Sequence, residues 1–180
     1  MRRLAPVFTA FALLAGCSPR TIAVRTTADV LDRGIPAFYE EADAQFAREA
    51  MPAHLKMLEG FLKNDPANRQ ILLSLAQGFG GYAFLFLEDE NPERAKYFYA
   101  KGRDYGLQAL GPKASDLKSL RAREVPVLFW TAYCWGSWAN LSRADPQALA
   151  DLPKVEAMMR RGEGLSPGYF YGGTDLFLGA

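Results

Sequence analysis

The chain is poor in the residues from which active sites are usually built. Its 180 residues include one histidine, His54, and two cysteines, Cys17 and Cys134. A single imidazole with no ligand cluster around it argues against a metal centre. No phosphate-binding glycine loop and no nucleophile elbow are present. Neither sign of charge is in excess, with 21 Lys and Arg against 20 Asp and Glu. No basic stripe makes an electrostatic case for nucleic acid. Alternating β-branched runs are scarce, so strands are not expected. The two uncharged apolar runs, 4–14 and 126–141, fall short of the roughly 20 residues that a membrane span needs. What is left points to a helical chain that is not an enzyme and uses no cofactor and no metal.

The N-terminus has a pattern of its own. Arg2 and Arg3 precede the apolar run, and Ala15 and Gly16 stand just before Cys17. This is an export signal closed by a lipobox. Residues 1–16 are then a signal peptide, Cys17 carries an acyl lipid of the palmitate type, and 17–30 form a tether. Residues 31–180 make up the folded domain. Loss of Arg2 and Arg3 leaves the mature chain close to neutral, so the lipid rather than charge holds it to a membrane. Ser18, with no aspartate beside the cysteine, fits the outer membrane of a Gram-negative bacterium, the body facing the periplasm. Cys134 is then left without a disulfide partner. It lies in an apolar, aromatic run and reads as a small buried hydrophobe.

The body reads as helices. Phe38, Ala42 and Phe46 recur every four residues over 36–50, and Pro52 either kinks that helix or opens the next. A helix over 67–87 carries Leu72, Leu75, Phe79, Tyr82 and Phe86 on one broad face, with Gly78, Gly80 and Gly81 inside it. Each internal glycine costs about 0.8–1 kcal/mol against alanine. Either a neighbouring helix comes close there, or a ligand lies beside the backbone. Glu88 to Asn91 reads as a solvated acidic turn, its spacing fitting no calcium loop. Asn91 and Pro92 open a helix that Gly111 and Pro112 stop. Residues 113–124 are expected to form helical turns with loops.

The run 126–141 holds three tryptophans and no charge. A helix apolar on all sides is buried on all sides, so it belongs at the centre of the domain or along a cavity. Asp151 to Pro153 should cap a further helix ending near Gly164. The last residues, 174–180, look like the start of one more helix with no stop signal and no partner, as in a chain shorter than its relatives or truncated. Tyr82, Trp130, Tyr133, Trp138, Asn140, Tyr169 and Tyr171 are candidates to line a ligand pocket, since such pockets are mostly apolar with a few placed polar groups. For each aromatic the competing role is ordinary core. For Asn140 it is helix-end capping.

Four stretches together carry a resemblance: 73–89 (LSLAQGFGGYAFLFLED), 101–107 (KGRDYGL), 125–138 (VPVLFWTAYCWGSW) and 168–173 (GYFYGG). They resemble the periplasmic tetratricopeptide-like lipoproteins associated with TRAP transporters, the T components. The resemblance implies an all-α fold of stacked antiparallel helical hairpins, degenerate and tetratricopeptide-like. It also implies a homotrimer with a central pore, a groove suited to a hydrophobic ligand, and a periplasmic solute-binding protein of a TRAP transporter as partner. It brings no catalytic motif. The expected function is binding of a small hydrophobic or organic-acid ligand, docking of that solute-binding protein, or both. The alternative is a tetratricopeptide-like scaffold lipoprotein in envelope assembly.

Overall fold

The computed structural model describes residues 19–179. The expected signal peptide and the expected lipidation site at Cys17 lie outside the described residues. Within them there are eight α-helices, three short 3-10 turns and no strand. The helices are α1 (Pro19–Arg33), α2 (Pro36–Tyr39), α3 (Ala44–Leu62), α4 (Arg69–Phe86), α5 (Pro92–Leu110), α6 (Val125–Leu141), α7 (Pro146–Leu165) and α8 (Tyr169–Gly179). From α3 to α8 each helix packs on the next, and α4 also meets α6. The result is the all-α stack of antiparallel hairpins that the sequence led us to expect.

Local chemistry sets most of the boundaries. Asn68 Oδ1 accepts from the Ile71 amide at 3.1 Å and Asn91 Oδ1 from the Arg94 amide at 3.1 Å. Such caps contribute about 1 kcal/mol each. Gly111, at φ 57°, ends α5 in a conformation that glycine tolerates best. Three boundaries differ from expectation. The helix over 36–50 is two helices, because Asp43 Oδ1 accepts from the amides of Gln45 and Phe46 and starts α3 afresh. Phe46 is then left exposed. Pro52 stays inside α3 and Pro153 stays inside α7. The cap of α7 is Asp145, while Asp151 instead accepts from the Trp135 indole at 3.0 Å. The polar run read as a tether is helical from Pro19. It buries Val24 and Ala28, rests on α4, and is tied by Arg25 to Asp65 at 2.9 Å.

The core centres on α6, with 11 buried residues out of 17. Cys134 is buried there as expected. Its thiol donates to the Ala76 carbonyl at 3.4 Å, and burial raises its pKa well above the usual thiol range. Close approach of α5 to α6 depends on two glycines. A Cβ at Gly106 would come within 2.9 Å of Thr131 Cβ and 3.1 Å of its backbone Cα. One at Gly102 would come within 2.6 Å of Cys134 Sγ and 3.1 Å of the Ala76 carbonyl. Gly106→Ala gains about 1 kcal/mol of helix propensity. It also overpacks a site where part of the obstruction is backbone, at a cost of about 1–3 kcal/mol. The expected net result is destabilisation of about 1 kcal/mol, read as a lower urea midpoint.

Between α5 and α6 the chain makes 3-10 turns at Gly111–Ser115, Leu117–Ser119 and Ala122–Glu124. Two side chains hold this segment. Glu124 is fully buried and accepts from Lys113 Nζ at 2.8 Å, the Arg121 amide at 2.9 Å and Arg123 Nε at 3.0 Å. The Arg161 guanidinium, reaching from α7, donates to the carbonyls of Leu117 at 2.9 Å and Leu120 at 2.8 Å. Each turn closes few backbone bonds of its own, such as the Glu124 amide to the Arg121 carbonyl at 2.9 Å, and these side-chain bonds tie the turns to the rest of the fold.

Candidate ligand-binding cavity

Helices α4 and α6 lie side by side, with the Cys134 thiol on the Ala76 carbonyl and the rings of Phe84 and Tyr133 6.4 Å apart. On the side away from α5 they form the wall of a cavity of about 940 Å³. Residues of α2 and α3 close one flank and α8 closes another, while α5 contributes no lining residue. The three glycines of α4 divide between the two explanations. Gly80 is a close approach, since a Cβ there would sit 2.7 Å from Cys134 Sγ. Gly81 faces the cavity, where a Cβ would meet nothing within 4 Å. Gly78 also lines the cavity, under the Leu55 side chain.

The kinked helix α8 covers one side. Its backbone is left-handed at Phe170 (φ 51°), Tyr171 (φ 58°) and Gly172 (φ 74°). The two non-glycine residues cost roughly 1–2 kcal/mol each. Aromatic packing offsets this. The Phe170 ring stands 4.8 Å from Trp130 and 5.6 Å from Phe129. Beyond the kink, Phe177 fills the notch at Gly136, where a Cβ would come within 2.9 Å of its ring.

Few polar groups reach the cavity. His54 packs on Phe38 with ring centroids 5.1 Å apart, and burial lowers its pKa, so it is neutral at pH 7. Glu88 receives the Tyr99 hydroxyl. Tyr133, beside that pair, has its hydroxyl pKa pushed up to about 12, mainly by burial. Arg143 stands where α6 ends and bonds to Asn140 Oδ1 through Nε at 3.0 Å. Around the mouth Phe84, Leu85, Tyr171 and Leu176 are all more than half exposed.

Residues 40–180 match the family described as TRAP transporter T-component. The chain belongs to that family. All four stretches that carry the sequence resemblance fall within the match. A comparison with curated proteins returns no match. T components are transport-associated and non-catalytic, so membership associates this chain with a TRAP transporter and with the cell envelope. None of the described helices is long and apolar enough to cross a membrane. No group of His, Cys, Asp and Glu among the described residues could hold a metal ion.

Of the candidate lining residues in this T component, Trp130, Tyr133, Asn140 and Tyr171 line the cavity. Tyr82 does not. It is buried towards α5, its ring 5.6 Å from Phe98. Trp138 lies in a separate shallow hollow with Tyr97 and Leu141, the Arg103 guanidinium 5.2 Å above its ring. Tyr169 stands behind the wall, 5.4 Å from Phe129. Trp130 Nε1 is buried and has no hydrogen-bond partner among the described residues. Asn140 is an exposed acceptor for Arg143 rather than a buried amide. Sequence reasoning missed Phe84, Leu85, Phe170, Phe177, Glu88 and Arg143. One signal was available: Phe84 and Leu85 widen the apolar arc of α4 beyond what a single packed face uses.

Proposed function

We propose that this T component is a non-enzymatic periplasmic protein, anchored to the outer membrane by lipid on Cys17. It holds a small apolar or organic-acid ligand in the cavity between α4, α6 and α8, and it docks the solute-binding protein of its TRAP transporter. The cavity carries this reading. Ten aromatic side chains line it, a surface that favours an apolar guest over water. The exposed rim at Phe84, Leu85, Tyr171 and Leu176 supports docking, because contiguous exposed apolar patches mark interaction sites. The same rim suits the homotrimer that the resemblance implies.

Native mass spectrometry of the purified protein tests the reading. A small molecule should be retained under gentle conditions and lost on unfolding, and capture of the solute-binding protein should depend on it. A ligand-free protein that captures the partner equally well would favour a scaffold in envelope assembly. Cys17→Ser should remove the acyl mass and release the protein from the membrane fraction.

A further inference from the structure

One acidic and one basic side chain line the cavity, Glu88 and Arg143, and they are not equivalent. Glu88 is half-buried and already engaged by the Tyr99 hydroxyl. Arg143 is exposed and pairs with no carboxylate among the described residues. Its Nε and one Nη share a single neutral acceptor, Asn140 Oδ1, and its other Nη is uncommitted. His54 adds no charge, because burial keeps it neutral. The remainder of the wall carries no charge: it is mostly apolar or aromatic, from Phe84 and Tyr133 to Trp130 and Phe170, with the neutral polar side chains of Ser74, Gln77 and Ser137 among them.

We infer that the cavity takes an amphipathic monoanion, its alkyl or aryl chain along α4 and α6 and its carboxylate on the Arg143 guanidinium. This rests on the ligand-binding reading above and adds a class and an orientation to it. A guanidinium pairs with a carboxylate through parallel N–H donors, which a neutral head cannot match. Asn140 is a positioning residue: by accepting from Nε and one Nη it restrains a long side chain that would otherwise lose rotamer freedom on binding. A cationic head is the less favoured guest. It would compete with the Tyr99 hydroxyl for Glu88 and would meet Arg143 nearby.

The test uses three probes that share one chain, namely decanoate, decanol and decylamine, each below its micelle-forming concentration. Binding to the purified protein is followed by calorimetry. Decanoate should bind about fivefold to tenfold more tightly than decanol, the range set by an exposed but hydrogen-bonded charge. Decylamine should bind most weakly. Arg143→Gln should abolish the preference for decanoate and leave decanol affinity and the melting temperature unchanged, as Arg143 is exposed. Added salt should weaken decanoate binding alone. If none of the three binds, the ligand-binding reading itself fails. If all bind equally, or Arg143→Gln leaves the preference intact, the assignment of the head group is overturned while the apolar cavity stands. Tightest binding by decylamine would transfer the head to Glu88 and overturn it as well.

Discussion

Glu124→Ala is expected to destabilise the protein by about 3 kcal/mol, seen as a lower urea midpoint and a melting temperature reduced by about 6–12 °C. The carboxylate is fully buried and accepts from Lys113, the Arg121 amide and Arg123, with Arg69 at 3.8 Å. Without it the Arg121 amide loses its acceptor and the turn that leads into α6 loses its tie. The cations themselves are partly or largely exposed, which keeps the loss near the lower end for a broken buried ion pair. The pH dependence has a definite sign. The Lys113 hydrogen bond, backed by Arg121 and Arg123 against the cost of burial, lowers the Glu124 pKa from 4.5 to about 2. Its stabilisation is therefore complete above pH 4.5 and lost as the pH falls towards 2. Glu59 titrates over the same window. Burial works against its charge, but hydrogen bonds from Lys101, Lys56 and Tyr105 bring its pKa to about 2. Stability should thus fall from pH 4.5 to pH 2, and Glu124→Gln should make that fall shallower.

Gly81→Phe is expected to abolish ligand retention while leaving the fold intact. A Cβ at Gly81 meets nothing within 4 Å, so the new ring has only the cavity to enter. Replacing glycine inside α4 also gains about 0.5 kcal/mol of helix propensity. Affinity for an apolar probe should fall more than tenfold, with a melting temperature equal to or slightly above that of the wild type. Unimpaired binding would place the ligand elsewhere. The contrast with Gly106 is instructive, because there the same loss of a glycine meets Thr131 and costs stability.

The helical stack was legible because its signals are local. Asn91 with Pro92, and Gly111 with Pro112, mark the ends of α5 through backbone geometry and orphan amides alone. The uncharged run of α6 announced its burial in the same way. Pro153 misled because it lies inside α7 at an exposed position, where the carbonyl deprived of a donor can turn to water. The cavity was half legible. Trp130 and Tyr133 sit on a helix whose every face had to be buried, so they were natural candidates. No periodicity could show that Tyr82 turns to α5 while Phe84 and Leu85, two and three residues on, turn to the opening. Arg143 was invisible because its role depends on a fold that leaves it without an acidic partner.

The absence of α5 from the cavity lining divides the molecule into a side that keeps it folded and a side that meets other molecules. The glycines of α5 and the back of α6 are fixed by each other, and a change there alters how long the protein survives. Phe84, Leu85, Tyr171 and Leu176 carry little of the packing, and a change there alters what the protein holds. A lineage could therefore exchange one cargo for another without first repairing its fold. Close relatives would be expected to share the α5–α6 seam and to diverge around the mouth.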